Sequence, residues 1–496
     1  MKRRHFLHTS LAATIGATLP VQAALAALSE VTGDVRAVTG DGTQLTLEQS
    51  AVKELADSLR GQMLLPGQEG YEVARRVLNP VIDKHPALVV RPSGPADIMN
   101  AVSFARERDL LIAVKCGGHS FSGKSTCDGG MQIDLSSFRS ARVDVGSKTA
   151  YVAGGSLLGE LDHEAMSHGL VTTAGTVSHT GVGGLTLGGG FGRLARKYGL
   201  ALDNVTGFDL VTADGKLVLA SADEHPDLYW ALRGGGGNFG VVTSFEFRLH
   251  PHTRTVVGGD VVFPMKDLPG VLSFYADYVK SAPDELYLDF FCASELGEED
   301  GICGIHACYS GPESEAEKVL APIQKAGSVI NNGIAATDYV AIQSSWDNTD
   351  PRHTASYLKS GFINEVPDKL VSLIAQNFKA FNERGTTMFF QHSGGAIGRV
   401  PSDATAFAHR KSIANLFAVV EWPLGESRES HVKYIKEYWK DFEPFTDGWY
   451  TNEVDDHAAA TVNRNYQGNY ERLVKVKNSY DPTNLFRLNA NVEPTA

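Results

Sequence analysis

Eight of the eighteen residues at positions 175–192 are glycine. Val177, Val182, Leu185, Leu187 and Phe191 stand among them and no period is kept, which excludes a collagen repeat or a flexible linker. Glycine lets a main chain approach another group without a Cβ in the way. A stretch so rich in it, in apolar company, specifies backbone laid against something flat or phosphorylated.

A second glycine-bearing stretch narrows the choice. Residues 118–125, Gly-His-Ser-Phe-Ser-Gly-Lys-Ser, satisfy the G-x-x-x-x-G-K-[ST] string of a nucleotide-triphosphate loop, in which backbone N–H groups cradle phosphates and the lysine reaches the terminal ones. Such a loop must run at once into a helix whose N-terminus faces the phosphates. Here Thr126-Cys127-Asp128-Gly129-Gly130 is a turn signal, and Met131-Gln132-Ile133-Asp134-Leu135 alternates as a strand does. Taken with its left flank, the stretch is instead a Gly117-Gly118-His119-Ser120 turn after an apolar strand, suited to holding a pyrophosphate beside a histidine.

Its position supports that reading. A short β-run at 87–90, a first-turn proline at 95, an apolar stripe of Ile98, Ala101, Val102 and Ala105, and a strand at 110–114 make a β–α–β unit. The turn then lies at the carboxyl end of a strand, where α/β proteins place ligands. Helices are also expected at 51–59, 71–78, 156–167 and 223–233, and a hairpin at Ala213-Asp214-Gly215. From about 252 to 440 the texture changes. Alternating runs at 256–263, 286–292, 302–309, 387–390 and 415–422, with helices at 268–280 and 314–326, specify an antiparallel sheet with helices on one face.

Length and charge set bounds. A chain of 496 residues with 43% apolar and 21% charged residues buries a large core and is expected to hold two domains or more. A formal charge of -13 without any basic run argues against a nucleic-acid partner. Residues 1–27 carry Lys2-Arg3-Arg4, then Phe6-Leu7, then an Ala- and Thr-rich stretch ending at Ala24-Leu25-Ala26, which reads as a twin-arginine signal peptide. No other segment approaches the ~20 apolar residues needed to span a membrane. A periplasmic or secreted protein without stable membrane insertion is the expectation. Five cysteines leave one over, so no disulfide framework is expected, and Cys303 and Cys308 lie about 16 Å apart along one strand. Neither CxxC nor HExxH occurs, and no metal site is expected.

Four blocks occur in order: the 115–125 turn, the glycine region through Tyr198, Gly237-Asn238-Phe239-Gly240-Val241-Val242, and the closing Tyr480-Asp481-Pro482-Thr483-Asn484-Leu485-Phe486-Arg487. Together they resemble the berberine-bridge-enzyme-like FAD-linked oxidases of the vanillyl-alcohol-oxidase superfamily, over most of the chain after about residue 50. The resemblance implies an α+β fold. A two-subdomain PCMH-type FAD-binding domain would occupy 28–251 and a substrate domain with an antiparallel sheet flanked by helices 252–440. A C-terminal segment at 441–496 would return to the FAD domain. It further implies FAD contacts at Gly117, Gly118, His119, Ser120, Gly123, Val177, Thr180, Gly181, Gly183, Gly184, Val242, Asn452, Asn489 and Asn491. His119 matches the histidine bonded to the flavin 8α-methyl carbon. Relatives with a second covalent link carry cysteine at the position of Val177, so a single link is expected, and Cys116 and Cys127 read as structural.

The chemistry implied is hydride transfer from a small alcohol, sugar or amine to FAD, with reoxidation by O2 to H2O2. A dehydrogenase using another acceptor, or a cyclase forming a carbon–carbon bond, is the alternative. A base must lie within hydrogen-bond reach of the substrate. In the strand at 418–422 only Phe417, Ala418 and Val419 stand where the family draws a polar group, which leaves the Tyr450-Thr451-Asn452 segment. There Glu453 is the candidate base and Tyr450 the next, a carboxylate in a half-buried flavin pocket being open to a raised pKa. His392 and His409 are lesser candidates, each reading also as a packed or hydrogen-bonded structural histidine.

Overall fold

The computed structural model describes residues 31–298, 300–347, 354–378, 383–452 and 459–495. Glu453 and the 1–27 segment lie outside these residues. The β–α–β unit forms as its pattern specifies: strand Leu88–Arg91, helix Pro95–Glu107 and strand Ile112–Lys115. Met131–Asp134 runs parallel between the two strands, and Gln62–Leu64 adds an antiparallel edge. No helix follows residues 118–125; turns lead straight into Met131–Asp134, and the triphosphate-loop reading ends there.

A second sheet of five antiparallel strands has the order Leu217–Ser221, Val205–Thr212, Gly240–Arg248, Thr149–Ala153 and Ala141–Asp144. Its core is joined by residues far along the chain, Val462, Tyr466, Leu473, Val476 and Val492, while Leu485 and Phe486 enter the core of the parallel sheet. The third sheet is wholly antiparallel and centred on Leu286–Ser294, Gly385–His392, Ala414–Pro423 and Thr354–Ile363.

Period-two alternation gives this third sheet two different faces. Leu288, Phe290, Met388, Phe390, Leu416, Val420 and Trp422 pack under helices Leu268–Tyr278, Asp368–Asn377 and Arg428–Trp439, forming the largest core. The opposite face carries Asp289, His306, Gln391, Phe417 and Glu421. Several helices are shorter than their sequence pattern, among them Glu313–Leu320, which ends before Pro322. Helix Tyr71–Arg75 stops early because the next residues are drawn to the 118–121 turn: Leu78 N–H donates to Gly118 O at 2.9 Å, and Asn79 Nδ2 donates to Phe121 O at 3.3 Å and Ser356 O at 3.0 Å. Helix Pro226–Leu232 starts at its proline, after His225 at φ 50°.

Asp289 lies wholly inside the protein, and burial pushes its carboxyl up to about 7. Oδ1 accepts His392 N–H at 3.0 Å, whereas Oδ2 has no hydrogen-bond partner among the described residues. The folded chain thus keeps a proton there that the unfolded chain releases near pH 4. This group's contribution is intact below that pH and is lost as pH rises toward 7. Asp289→Asn is therefore expected to unfold ~1–3 kcal/mol later than the parent at pH 8 and level with it at pH 4, read by denaturant titration at both values.

Candidate functional site

The motifs meet at one cavity of about 650 Å3. Ile112, Val114, Leu135, Val241 and Phe486 give it an apolar wall; Ile112, Val114 and Val241 come from the two sheets of the N-terminal half, and Leu135 from the turn that follows strand Met131–Asp134. Glycine backbone forms another part. Gly117 and Gly181 lie so close that a Cβ on either would strike the other's amide nitrogen, while a Cβ on Gly184, Gly236 or Gly237 would meet no protein atom within 4 Å. Gly118 takes φ 72°, which only glycine adopts readily. After it, the amides of His119, Ser120 and Phe121 donate to no acceptor among the described residues. A run of free N–H groups beside close-packed glycines suits a pyrophosphate, and the apolar wall suits a flat ring.

Of the residues assigned to cofactor contact, Gly117, Gly118, His119, Ser120, Val177, Thr180, Gly181, Gly183, Gly184, Val242, Asn452 and Asn489 line this cavity. Gly123 and Asn491 are not among its lining residues. Gly123 turns the chain at φ 66° against Ile82, and its carbonyl accepts Lys84 Nζ at 2.9 Å. Asn489 Oδ1 is buried without a hydrogen-bond partner among the described residues, leaving an acceptor for a donor on the bound group. These features fit FAD. Val177 presents no thiol, and burial pushes the neighbouring Cys116 thiol up to about 11, so neither position offers a thiolate.

His119 lines the cavity, and burial brings its pKa down to about 3. Its Nε2 lies 2.7 Å from His179 Nδ1. Tyr450 is almost fully buried, its ring edge-on to Phe191, and its hydroxyl accepts Gly190 N–H at 2.8 Å and Asn452 Nδ2 at 2.9 Å. Asn452 also donates to Leu185 O at 3.1 Å. The Tyr-x-Asn segment thereby clamps the glycine region from the C-terminal side.

The third sheet contributes three cavity residues that the sequence reading missed, Thr354, Gln391 and Glu421. The reading of the strand stopped at Val419. Along Ala414–Pro423, Ala418, Val420 and Trp422 point to the helices, so Phe417, Val419 and Glu421 share the other face, and alternation alone carries the signal to Glu421. Burial raises the Glu421 carboxyl above its ordinary value, and no hydrogen bond or ion pair engages it among the described residues.

The glycine-asparagine block and the closing block prove to be one unit. Asn238 is fully buried; its Nδ2 donates to Gly235 O at 2.7 Å and Ala490 O at 3.1 Å, and its Oδ1 accepts Val492 N–H at 2.9 Å. Lys477 Nζ donates to Asn238 O, to Phe486 O and to Asp481 Oδ2 at 2.9, 3.0 and 2.7 Å. Asp481 accepts the amides of Leu485 and Phe486 at 2.7 and 2.9 Å. This knot seats Phe486, Leu488 and Asn489 in the cavity wall.

Known proteins agree with this geometry. Residues 86–221 match the model of an FAD binding domain, and residues 449–493 that of a berberine and berberine-like segment. An FAD-linked oxidoreductase of Dictyostelium discoideum is 33% identical over 449 residues, spanning 89% of this chain and 97% of the relative. The (R)-6-hydroxynicotine oxidase of Paenarthrobacter nicotinovorans is 28% identical over 88% of this chain and 97% of its own length. A crystal structure of 6-hydroxy-D-nicotine oxidase from Arthrobacter nicotinovorans superposes with a TM-score of 0.81 at 28% identity, over 88% of this chain and 98% of that one. The α+β architecture is that of these flavoproteins. A one-third-identical relative matched along nearly its full length, and family models at both ends of the cavity-building sequence, show that this chain belongs to the berberine-bridge-enzyme-like FAD-linked oxidoreductases of the vanillyl-alcohol-oxidase superfamily.

Proposed function

We propose that the protein is an oxidase with FAD held covalently through His119 alone, acting on a small alcohol, sugar or amine. The observation that carries this is one continuous cavity, in which the glycine cradle and His119 share their space with polar groups of the antiparallel sheet. When bound, FAD supplies the two-electron acceptor, taking a hydride from the substrate carbon and returning the electrons to O2 as H2O2. The chain's part is to seat the cofactor, exclude water and take the proton that leaves the substrate's hydroxyl or amine. Glu421 faces the cavity with its pKa raised by burial, and Glu453 follows Asn452 outside the described residues. The relative named (R)-6-hydroxynicotine oxidase supports an oxidase with a small-molecule substrate. Delivery to the periplasm or beyond, through the twin-arginine signal at 1–27, completes the reading.

A substrate panel followed by flavin bleaching without oxygen, then by peroxide release on admitting air, tests it. Bleaching without peroxide would favour the dehydrogenase. With the substrate so found, Glu421→Gln is expected to lower kcat/KM at least ~10-fold at unchanged flavin content, a general-base contribution being worth ~10²–10⁴ in rate. Glu453→Gln measured alongside divides the role between the two carboxylates.

A further inference from the structure

His179 is given no role by the glycine region in which it stands, yet the fold sets it against a ring nitrogen of His119. Its Nδ1 lies 2.7 Å from His119 Nε2, the ring centroids 4.7 Å apart and the planes tilted by 40°. His119 is held uncharged at neutral pH by burial and secondarily by His179, so a single hydrogen lies between the two nitrogens. Across the His119 ring, Nδ1 meets the Thr180 hydroxyl at 3.4 Å and no other hydrogen-bond partner among the described residues. The backbone bearing His179 is pinned from outside: Ser178 N–H donates to Asp347 Oδ1 at 3.2 Å, and Ser178 Oγ donates to the other oxygen of that carboxylate.

We propose that His179 positions His119 for its covalent bond to the flavin and takes up the proton that the bond displaces. Accepting the His119 Nε2–H fixes the tautomer whose lone pair sits on Nδ1, the nitrogen that then bonds to the flavin methyl carbon. The inference rests on the covalent reading above. Bond formation joins His119 Nδ1 to that carbon and breaks one of its C–H bonds. The imidazole hydrogen leaves as a proton to His179, and the methyl hydrogen leaves as a proton to solvent. The two electrons released are accepted by the flavin ring and passed to O2, which with two protons becomes H2O2. His179 has an outlet for its proton. Besides the FAD cavity it lines a second groove of about 420 Å3, bordered by Glu160 and by the exposed His163 and Glu164. It therefore stands between the bonding site and solvent.

The test uses full-length protein purified with its flavin, incubated with added FAD in air and quenched in acid at intervals, with protein-bound flavin read in the pellet. Wild type is expected to hold its flavin in the pellet. His179→Ala is expected to attach flavin at least 10-fold more slowly and release most of it to the supernatant. His179→Asn, which keeps an acceptor near the Nδ1 position but is no base, is expected to fall between them. Both variants should bind FAD before the quench, with thermal midpoints near wild type, which a merely structural role for His179 would not give. Attachment by His179→Ala at the wild-type rate would overturn the proposal. Were that variant not to fold, attachment by His179→Asn at the wild-type rate would overturn proton acceptance by itself. Wild type that releases its flavin would overturn the covalent reading beneath, a distinct result.

Discussion

His119→Ala is expected to fold, to bind FAD reversibly, and to yield a colourless pellet and a yellow supernatant when precipitated with acid. The side chain makes one close hydrogen bond, to His179, and carries no packing core, so its removal costs the fold little. What it removes is the imidazole through which the flavin is proposed to be bonded. Imidazole is neutral there, whereas the nearby Cys116 is held as a thiol by burial and Val177 is inert. The same change is expected to lower the flavin potential, because an imidazole nitrogen on the methyl carbon withdraws electrons from the ring. Each ~30 mV lost is worth about 1.4 kcal/mol for a two-electron couple. A spectroelectrochemical titration reads the shift, and substrate oxidation should slow ~10-fold or more.

The second large effect is on stability. Lys477→Met is expected to cost ~3–5 kcal/mol in unfolding, the range for breaking a buried ion pair from one side. Lys477 and Asp481 are both fully buried, 2.7 Å apart, and each serves the backbone as well: Lys477 ties Asn238 to Phe486, and Asp481 caps Leu485 and Phe486. Removing the ammonium strands a carboxylate inside the protein and frees the segment that holds Phe486, Leu488 and Asn489 against the cavity. Adding Asp481→Leu should recover only part of the loss, since the amides of Leu485 and Phe486 then lose their acceptor. Denaturant unfolding of the two variants checks this, with flavin fluorescence as a second reading of the same opening.

What the sequence made legible follows from local rules. The β–α–β unit, the hairpin, the two-faced sheet and the glycine cradle are patterns within ten or twenty neighbouring residues, and each was found where its pattern stood. The site residues that escaped notice depend on contacts across the chain. His179 is a lone histidine among glycines until the fold brings it to His119, sixty positions away in sequence. Gln391 and Glu421 gain meaning only once strand pairing shows which face of the sheet meets the cavity. Glu421 was within reach, because alternation along its strand continues past Val419. Lys477 and Asp481 look like an ordinary i,i+4 pair on a helix surface; only the docking of that helix over Asn238 makes them core. Tyr450, expected as a second choice for the base, is engaged by Gly190 and Asn452 as a clamp on the glycine region.

One bond, from His119 to the flavin, is the centre of this account, and peptide mapping tests it most directly. Trypsin cuts after Lys115 and Lys124 and after Lys148 and Arg193, isolating peptide 116–124 with His119 from peptide 149–193 with Val177 and His179. The account predicts flavin mass and fluorescence on peptide 116–124, localised to His119 by fragmentation, with peptide 149–193 unmodified. Flavin found wholly in the acid supernatant, with both peptides at their unmodified masses, would contradict it.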